Sequence, residues 1–137
     1  MKKSVVLAFL LIFLAGCYSG DFDVFTRNQE LLKKTASNYY NMLMWKYYDK
    51  ASGFVDPDKI DKFERFTLES QDRLNITSYE LKGIAFNPNE KKGFVRVAIS
   101  YYKYPSVSEK TVYLEDLWIL KGGNWYIHSD FKDDIFK

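Results

Sequence analysis

The residues that could carry out acid–base chemistry are few, and most lie near the end of the chain. His128 is the only histidine, and an imidazole titrates near neutral pH. As a general base it would need a carboxylate partner, for which Asp116 and Asp130 are the nearest candidates. A phenol such as Tyr113 or Tyr126 would then donate a proton. Such a set would suit an isomerase, a dehydratase or a hydrolase.

Strand alternation argues against a catalytic His128. Trp125 and Ile127 alternate with Tyr126 and His128 along the last predicted strand. If the first pair is buried, His128 points outward, because successive side chains of a strand face opposite sides. We therefore expect a surface or end-of-strand histidine and assign no catalytic residue. Asp116, His128 and Tyr126 remain the candidates if the protein is an enzyme.

Two charged residues interrupt apolar faces. Lys46 lies inside the apolar arc of a long predicted helix, and Asp116 lies on the apolar face of a predicted strand. A fold that lays the helix over the sheet could pair them, which would offset part of the cost of burial. Alternatively, the Lys46 side chain extends along the apolar surface to place its charge in solvent at the rim of the domain, and Asp116 sits beside the mouth of a pocket. In a third alternative, either residue contacts a ligand. Together with Trp45 and Trp118 they form the predicted binding set.

The sequence predicts no metal and no cofactor. One histidine and one cysteine are too few for a nitrogen and sulfur metal cluster. Asp56, Asp58 and Asp61 lack the glycine and the glutamate of an EF-hand loop, and they suit a helix N-terminus better. No phosphate-binding loop, dinucleotide fingerprint or serine-nucleophile motif is present. Carboxylates alone could still bind a hard cation.

The start of the chain is typical of a secretory signal. Residues 1–3 carry two lysines, and residues 5–15 form an uncharged apolar run. That run is too short to span a membrane, which needs roughly 20 residues. It leads directly into the single cysteine, Cys17. Without a second cysteine, the domain cannot form an internal disulfide.

The motif Leu14-Ala15-Gly16-Cys17 resembles the lipobox of bacterial lipoproteins. The resemblance implies that Cys17 becomes a diacylglyceryl thioether and that the chain is cut before it. Two or three acyl chains anchor a protein durably, whereas one holds it only marginally. Tyr18 stands where an aspartate favours inner-membrane retention, which implies the outer membrane in a Gram-negative host. An ordinary signal with a coincidental cysteine, or a buried cytoplasmic cysteine, is the alternative.

The predicted organisation has four parts: a signal peptide (1–16), a lipidated cysteine with its tether (17–25), one domain (26–131) and a charged, fraying tail (132–137). Removing Lys2 and Lys3 with the signal leaves 18 basic residues against 18 acidic ones. The mature chain is therefore neutral, which gives no electrostatic case for binding nucleic acid. The tether could reach at most about 30 Å, which keeps the domain near the bilayer.

Hydrophobic periodicity predicts an α+β fold. A long helix from Thr26 to about Lys50 begins with a capping box, Thr26 and Gln29. Asp56-Pro57 starts a shorter helix. The period then changes to two, which predicts strands over 74–86, 93–104, 108–120 and 125–131, with a tight turn at residues 122–124. Three apolar residues of the long helix fall outside its apolar arc, and either the second helix or a partner could cover them: Met44, Trp45 and Tyr48.

This order of elements, ending in Trp118, the turn at residues 122–124 and Trp125-Tyr126-Ile127, resembles the nuclear-transport-factor-2-like superfamily over residues 26–131. The resemblance implies a curved antiparallel sheet of about four strands wrapped around the long helix, forming a cone with a pocket at its open end. Members of that superfamily include isomerases, dehydratases and non-catalytic modules, so the fold alone does not assign a function.

The sequence favours a non-enzymatic binding or assembly module, held at the bacterial cell envelope by lipid. Its partner would be an envelope protein or a small apolar ligand. The neutral charge, the aromatic content of 18% and the lack of a catalytic set support this prediction. A pocket enzyme of isomerase or dehydratase type, or an inhibitor of a secreted enzyme or toxin, is the alternative.

Overall fold

The computed structural model describes the backbone of residues 19–137 and the side chains from residue 24 onward. Two α-helices, a long one and a very short one, are followed by a 3₁₀ turn, a third helix and four strands. The chain ends in a second 3₁₀ turn. The elements are α1 (Ser19–Met44), α2 (Tyr48–Ser52), the 3₁₀ turn Pro57–Lys59, α3 (Ile60–Ser70), β1 (Leu74–Asn87), β2 (Lys92–Lys103), β3 (Lys110–Lys121), β4 (Asn124–Ile127) and the 3₁₀ turn Asp134–Phe136.

The long helix exists, but both of its predicted ends were wrong. It begins at Ser19, so Thr26 lies inside the helix and residues 19–25 are helical instead of forming an extended tether. It stops at Met44 because Lys46 adopts a left-handed backbone with φ of 59°. Tyr47 N then donates to Met42 O at 2.9 Å, and Lys46 N donates to Leu43 O at 3.1 Å. This is the Schellman pattern, which glycine usually provides and a lysine provides here.

The second predicted helix, which is α3, packs against one of the three apolar residues that the predicted long helix left outside its apolar arc, and that residue belongs to α2. Tyr48 packs edge-on against Phe66 of α3, with ring centroids 5.9 Å apart, and Met44 is half-buried. Trp45 is 61% exposed. Packing by the second helix was therefore confirmed for Tyr48 and not for Trp45.

The sheet is antiparallel and open, in the order β1-β2-β3-β4, which confirms the α+β class and the number of strands. As predicted, Val95, Val97 and Ile99 of β2 are buried on one face. Val95 pairs with Asp116 of β3 in the register, so the carboxylate enters the core face. β4 ends at Ile127, four residues before its predicted end. In β1 the register shifts twice, and such bulges bend a strand.

The turn between β3 and β4 follows its sequence signal. Gly122 and Gly123 both have positive φ, 57° and 79°, and Lys121 pairs with Asn124 across them. Two consecutive left-handed residues define the type I′ turn, which matches the twist of a hairpin and favours glycine.

The C-terminal tail does not fray as predicted. Ile135 and Phe136 are 0% and 5% exposed, and the Phe136 ring lies 4.9 Å from that of Phe66. Residues 132–137 therefore extend the core under α3, because two apolar residues among the charged ones are enough to fix a short segment.

We expect Gly93→Ala to destabilise the domain by about 1–2 kcal/mol, the lower part of the range for overpacking. A Cβ at Gly93 would lie far inside van der Waals contact with Leu32 Cδ2 of α1, with Trp125 Cη2 at 3.6 Å. Gly53→Ala is the control, because its nearest atom is 3.4 Å away and its effect should stay within about 0.5 kcal/mol. Urea denaturation of both variants measures this, and equal midpoints would contradict it.

Candidate functional site

Asp116 is the centre of a buried polar group on the core face of the sheet. It follows Leu114 and precedes Trp118 on the same face of β3, and it is 6% exposed. Tyr40 of α1, which is 2% exposed, donates a hydrogen bond from Oη to Asp116 Oδ2 at 2.5 Å. Helix and sheet thus meet at an acid–phenol pair.

The pair is held in a medium that disfavours charge. Burial raises the pKa of Asp116 to about 6; the Tyr40 hydrogen bond opposes this rise and the nearby Asp133 charge adds to it. Burial, followed by the Asp116 charge, raises the pKa of Tyr40 well above its ordinary value. A carboxyl group with such a pKa exchanges protons near neutral pH, as acid–base catalysis requires.

Aromatic side chains enclose the pair. The Tyr39 ring lies 5.1 Å from Tyr40 and 5.6 Å from Trp118, edge-on in both cases. Tyr39 is 1% exposed and Trp118 is 0% exposed. Tyr39 Oη and Trp118 Nε1 are buried without a hydrogen-bond partner among the described residues, as is Tyr48 Oη. Because these side chains fill the space beside Asp116, bulk solvent does not reach the carboxylate.

His128 directly follows the last residue of β4, and it belongs to a different cluster from the one that an enzyme would need. Its Nδ1 lies 2.7 Å from Oδ2 of Asp56, not beside Asp116 or Asp130, and its side chain is 30% exposed. Lys121 Nζ donates to Asp56 Oδ1 at 2.8 Å, and Asp58 N donates to the same oxygen at 3.2 Å. The carboxylate is therefore enclosed by three donors.

Asp56 is fully buried at 0% exposure. Burial by itself raises the pKa of this carboxyl, but the hydrogen bonds from Lys121 and His128 outweigh it and lower the pKa to about 2. The backbone joins the same two segments: Asp56 N donates to Ile127 O at 2.9 Å, and Ile127 N donates to Phe54 O at 2.8 Å. The cluster thus fastens the segment before α3 to the end of β4.

Sequence reasoning found only half of the role of Asp56. Its N-cap position before Pro57 was predicted and is confirmed by the hydrogen bond from Asp58 N. Its burial and its bond to His128 were missed. The one available signal was the apolar pair Phe54-Val55 directly before it, which indicates that the chain enters the core at this point.

The predicted pair of Lys46 and Asp116 does not form. Lys46 Nζ donates to Gln71 O at 3.2 Å on the surface, as the rim alternative expected, while Asp116 bonds Tyr40. Lys46 lies two residues beyond Met44, where the long helix ends, and its backbone is left-handed. Its place on a helical wheel therefore had no structural meaning. The structure therefore separates Asp116 and Trp118, which are buried in the core, from Trp45 and Lys46 on the surface.

The two tyrosines that the sequence offered as proton donors, Tyr113 and Tyr126, lie outside the Asp116 group. Tyr113 is 74% exposed on the outer face of β3. Tyr126 is half-buried and lines a shallow cavity of about 340 Å³ together with Leu31, Thr35 and Phe54. Across the described residues, no hydrogen bond joins His128 or Tyr126 to Asp116, so the three enzyme candidates do not converge on one point.

Among the side chains described, from residue 24 to residue 137, no three His, Cys, Asp or Glu come together as metal ligands would. The helices described between residues 19 and 137 are all too short or too polar to cross a bilayer. Cys17, the predicted lipidation site, and the signal at residues 1–16 lie outside the described residues.

No protein-family model matches the chain, and no curated protein sequence matches it significantly. Among solved structures, the chain is similar to a SEC-C motif containing protein from Rhodopseudomonas palustris, determined in solution. The TM-score is 0.52 at 14% sequence identity, and the match covers 66% of this chain and 69% of that chain. At this identity the similarity concerns the fold alone.

Proposed function

We propose that this protein is a lipid-anchored, non-enzymatic binding or assembly module of the bacterial cell envelope, built on a nuclear-transport-factor-2-like cone. The observation that carries the proposal is the filled core face of the sheet. Tyr39, Tyr40 and Trp118 occupy the space where such a cone would hold a substrate, and each is 2% exposed or less. Binding is then left to the outer surface.

The order of the elements supports the cone. A long helix, a shorter helix and four consecutive antiparallel strands occur in the sequence expected of that superfamily. The two register shifts of β1 favour a bent sheet, because each bulge increases the local twist of its strand. The long helix packs mainly against β1 and supplies Leu32, Ala36 and Leu43 to the core.

The outer face of the sheet offers a surface for an envelope protein. Phe94 of β2 is 42% exposed and Tyr113 of β3 is 74% exposed, and both alternate with buried residues of their strands. Aromatic side chains of this kind often supply most of the binding energy at an interface.

Affinity capture from detergent-solubilised membranes would test whether this outer face binds an envelope protein. We expect a partner that is lost in Phe94→Lys/Tyr113→Lys and kept in Leu68→Lys, which adds a charge at an apolar residue of α3 that is 76% exposed. Turnover of a substrate by a chain that captures no partner would overturn the proposal.

We expect Cys17→Ser to release the protein from the membrane fraction. Without the thiol, no diacylglyceryl chain can form, and the ~0.8 kcal/mol per buried CH₂ that anchors the chain is lost. Fractionation and intact-mass measurement of the native protein check this, the expected mass being that of residues 17–137 plus lipid.

Moving the thiol by two residues, in Cys17→Ser/Ser19→Cys, is the matched control, since the cysteine count is kept while the lipobox is lost. It should behave like Cys17→Ser. A native protein with a free thiol at Cys17 and residues 1–16 still attached would contradict the anchoring.

A pocket enzyme is the second candidate, and the pair of Asp116 and Tyr40 is the observation that favours it. The Asp116 carboxyl has a pKa raised to about 6, and it lies next to the Tyr40 phenol, which can donate a proton. Turnover of an isomerase, dehydratase or hydrolase substrate that disappears in a folded Asp116→Asn variant would establish it. For such turnover, Tyr39 and Trp118 would have to move so that a substrate could reach Asp116.

A further inference from the structure

We infer that the outward side of α1 lies against the bilayer that holds the Cys17 lipid, with Trp45 in the interface at the far end of the helix. The inference rests on the proposed anchoring and adds an orientation to it. The residues concerned, called the outer stripe below, lie opposite the buried side of the helix: Val24, Arg27, Leu31, Lys34, Asn38 and Trp45.

The spacing of the outer stripe follows from the helix itself. Its members are three or four residues apart until Asn38 and then seven, which keeps them on one side of a helix with 3.6 residues per turn. Trp45 directly follows the helix, and its N–H still donates to Asn41 O at 3.1 Å, so it continues the helical geometry. Leu32, Ala36 and Leu43 are 0–2% exposed on the opposite side. Every member of the outer stripe is exposed, so nothing in the described part of the chain covers it.

The composition of the outer stripe suits a lipid surface. Val24 is 55% exposed, Leu31 is 38% exposed and Trp45 is 61% exposed, while Arg27 and Lys34 supply positive charge between them. Tryptophan prefers the membrane interface, and basic residues are attracted to an anionic lipid surface. Glu30 beside the stripe offsets one of these charges, which leaves one net positive charge.

The point of attachment favours this bilayer over another partner. The helix begins at Ser19, two residues after Cys17, so a lipid on Cys17 holds the start of the helix at the membrane surface. The 26 residues of α1 extend about 39 Å at 1.5 Å per residue. An upright helix would place Trp45 about that far into the aqueous phase, whereas a helix lying flat places it in the interface.

A flat helix would also orient the rest of the domain. The sheet packs on the other side of α1, so its outer face, with Phe94 and Tyr113, would point away from the lipid. The bilayer and the proposed protein partner would then occupy opposite sides of one domain. The outer stripe would supply the second membrane signal that stable anchoring requires besides acylation.

Trp45 reports its own position. The chain contains three tryptophans, and the other two, Trp118 and Trp125, are 0% and 2% exposed. The lipidated full-length protein is reconstituted into phosphatidylglycerol vesicles with bromine atoms on the acyl chains, which quench tryptophan only at short range. The emission of Trp45 is the difference between the spectra of the unmodified protein and the Trp45→Phe variant. We expect this emission to shift to shorter wavelength on binding to the vesicles and to be strongly quenched by the bromine atoms.

Charge reversal supplies the matched controls. Arg27→Glu/Lys34→Glu should remain bound through its lipid but lose most of the quenching. Lys92→Glu/Lys110→Glu makes the same change in net charge at exposed positions of β2 and β3, and it should keep the quenching of the unmodified protein.

The outcomes separate the two proposals. A lipidated protein that binds the vesicles while Trp45 stays unquenched would overturn the docking and leave the anchoring intact. A Trp45 shielded in native membranes but not in pure lipid would assign the outer stripe to a protein and also overturn the docking. A native chain without lipid contradicts the anchoring, and the docking fails with it.

Discussion

Replacing Asp56 with alanine is expected to lower the free energy of unfolding by about 1.5–3 kcal/mol, the range for hydrogen bonds to a charged group. The carboxylate is fully buried and accepts hydrogen bonds from Lys121, His128 and Asp58 N. Its loss leaves these donors unpaired and frees the segment that it fastens to β4. Chemical denaturation at pH 7 measures the change.

Asp58→Ala is the matched control, because Asp58 also faces Lys121. Its Oδ2 lies 3.8 Å from Lys121 Nζ, and its side chain is 78% exposed. Exposed ion pairs contribute a median of about 0–1 kcal/mol, so Asp58→Ala should change stability little. If Asp56→Ala and Asp58→Ala unfold at the same denaturant concentration, the cluster has no structural role.

The Asp56 contribution should also depend on pH in a defined direction. Its pKa is about 2 in the folded protein, below the ordinary value of 3.8. Stability from this group is therefore fully present above pH 4 and is lost as the pH falls towards 2. Lys121 is 44% exposed and solvent screens that pair, so we expect a loss of only about 1–2 kcal/mol over this window. The Asp56→Ala variant should lack this loss of stability between pH 4 and pH 2.

Replacing Asp116 with asparagine is expected to have the opposite dependence on pH. The pKa of Asp116 rises from 3.8 to about 6 on folding, so between these values the folded protein holds a proton that the unfolded chain releases. The free energy of unfolding of the native protein should then fall by about 2.4 kcal/mol as the pH rises from 4 to 7. Asp116→Asn stays neutral and should not show this fall.

The measurement is the difference between the two stability curves from pH 4 to pH 7, which cancels the other carboxyl groups. Near pH 4 the proteins should be similar, and at pH 7 Asp116→Asn should be the more stable. Asp116→Ala is the control, since it also lacks the carboxyl but leaves Tyr40 Oη buried without a partner, and it should be less stable than Asp116→Asn by about 1–3 kcal/mol at every pH. Parallel curves for the native protein and Asp116→Asn would show that Asp116 ionises like an exposed carboxylate.

Local patterns predicted the elements of this protein well where apolar residues alternate regularly. Val95, Val97 and Ile99 were placed on the core face of β2 because a strand with one buried face must alternate. The turn at Gly122-Gly123 was found because few residues other than glycine adopt two positive φ angles in succession. These signals depend only on neighbours in the chain, and the sequence contains all of them.

The end of the long helix was missed for a local reason of a different kind. Lys46 takes the left-handed conformation that usually marks a glycine, so no residue type signalled the stop at Met44. Continuing the helical wheel through Lys46 then produced a pairing with Asp116 that the structure does not contain. The fraying tail was wrong because Ile135 and Phe136 find a buried place beside Phe66, which is distant in sequence.

The sequence by itself determined the α+β class, the strands, the helix start at Asp56-Pro57 and, through residues 1–17, the prediction of a lipid anchor. Only the tertiary structure decided which charged groups meet: Asp116 with Tyr40 across 76 positions, and Asp56 with His128 across 72. The reason is physical. Backbone periodicity is set by near neighbours, whereas a buried carboxylate takes whichever donor the packing of distant elements brings within about 3 Å.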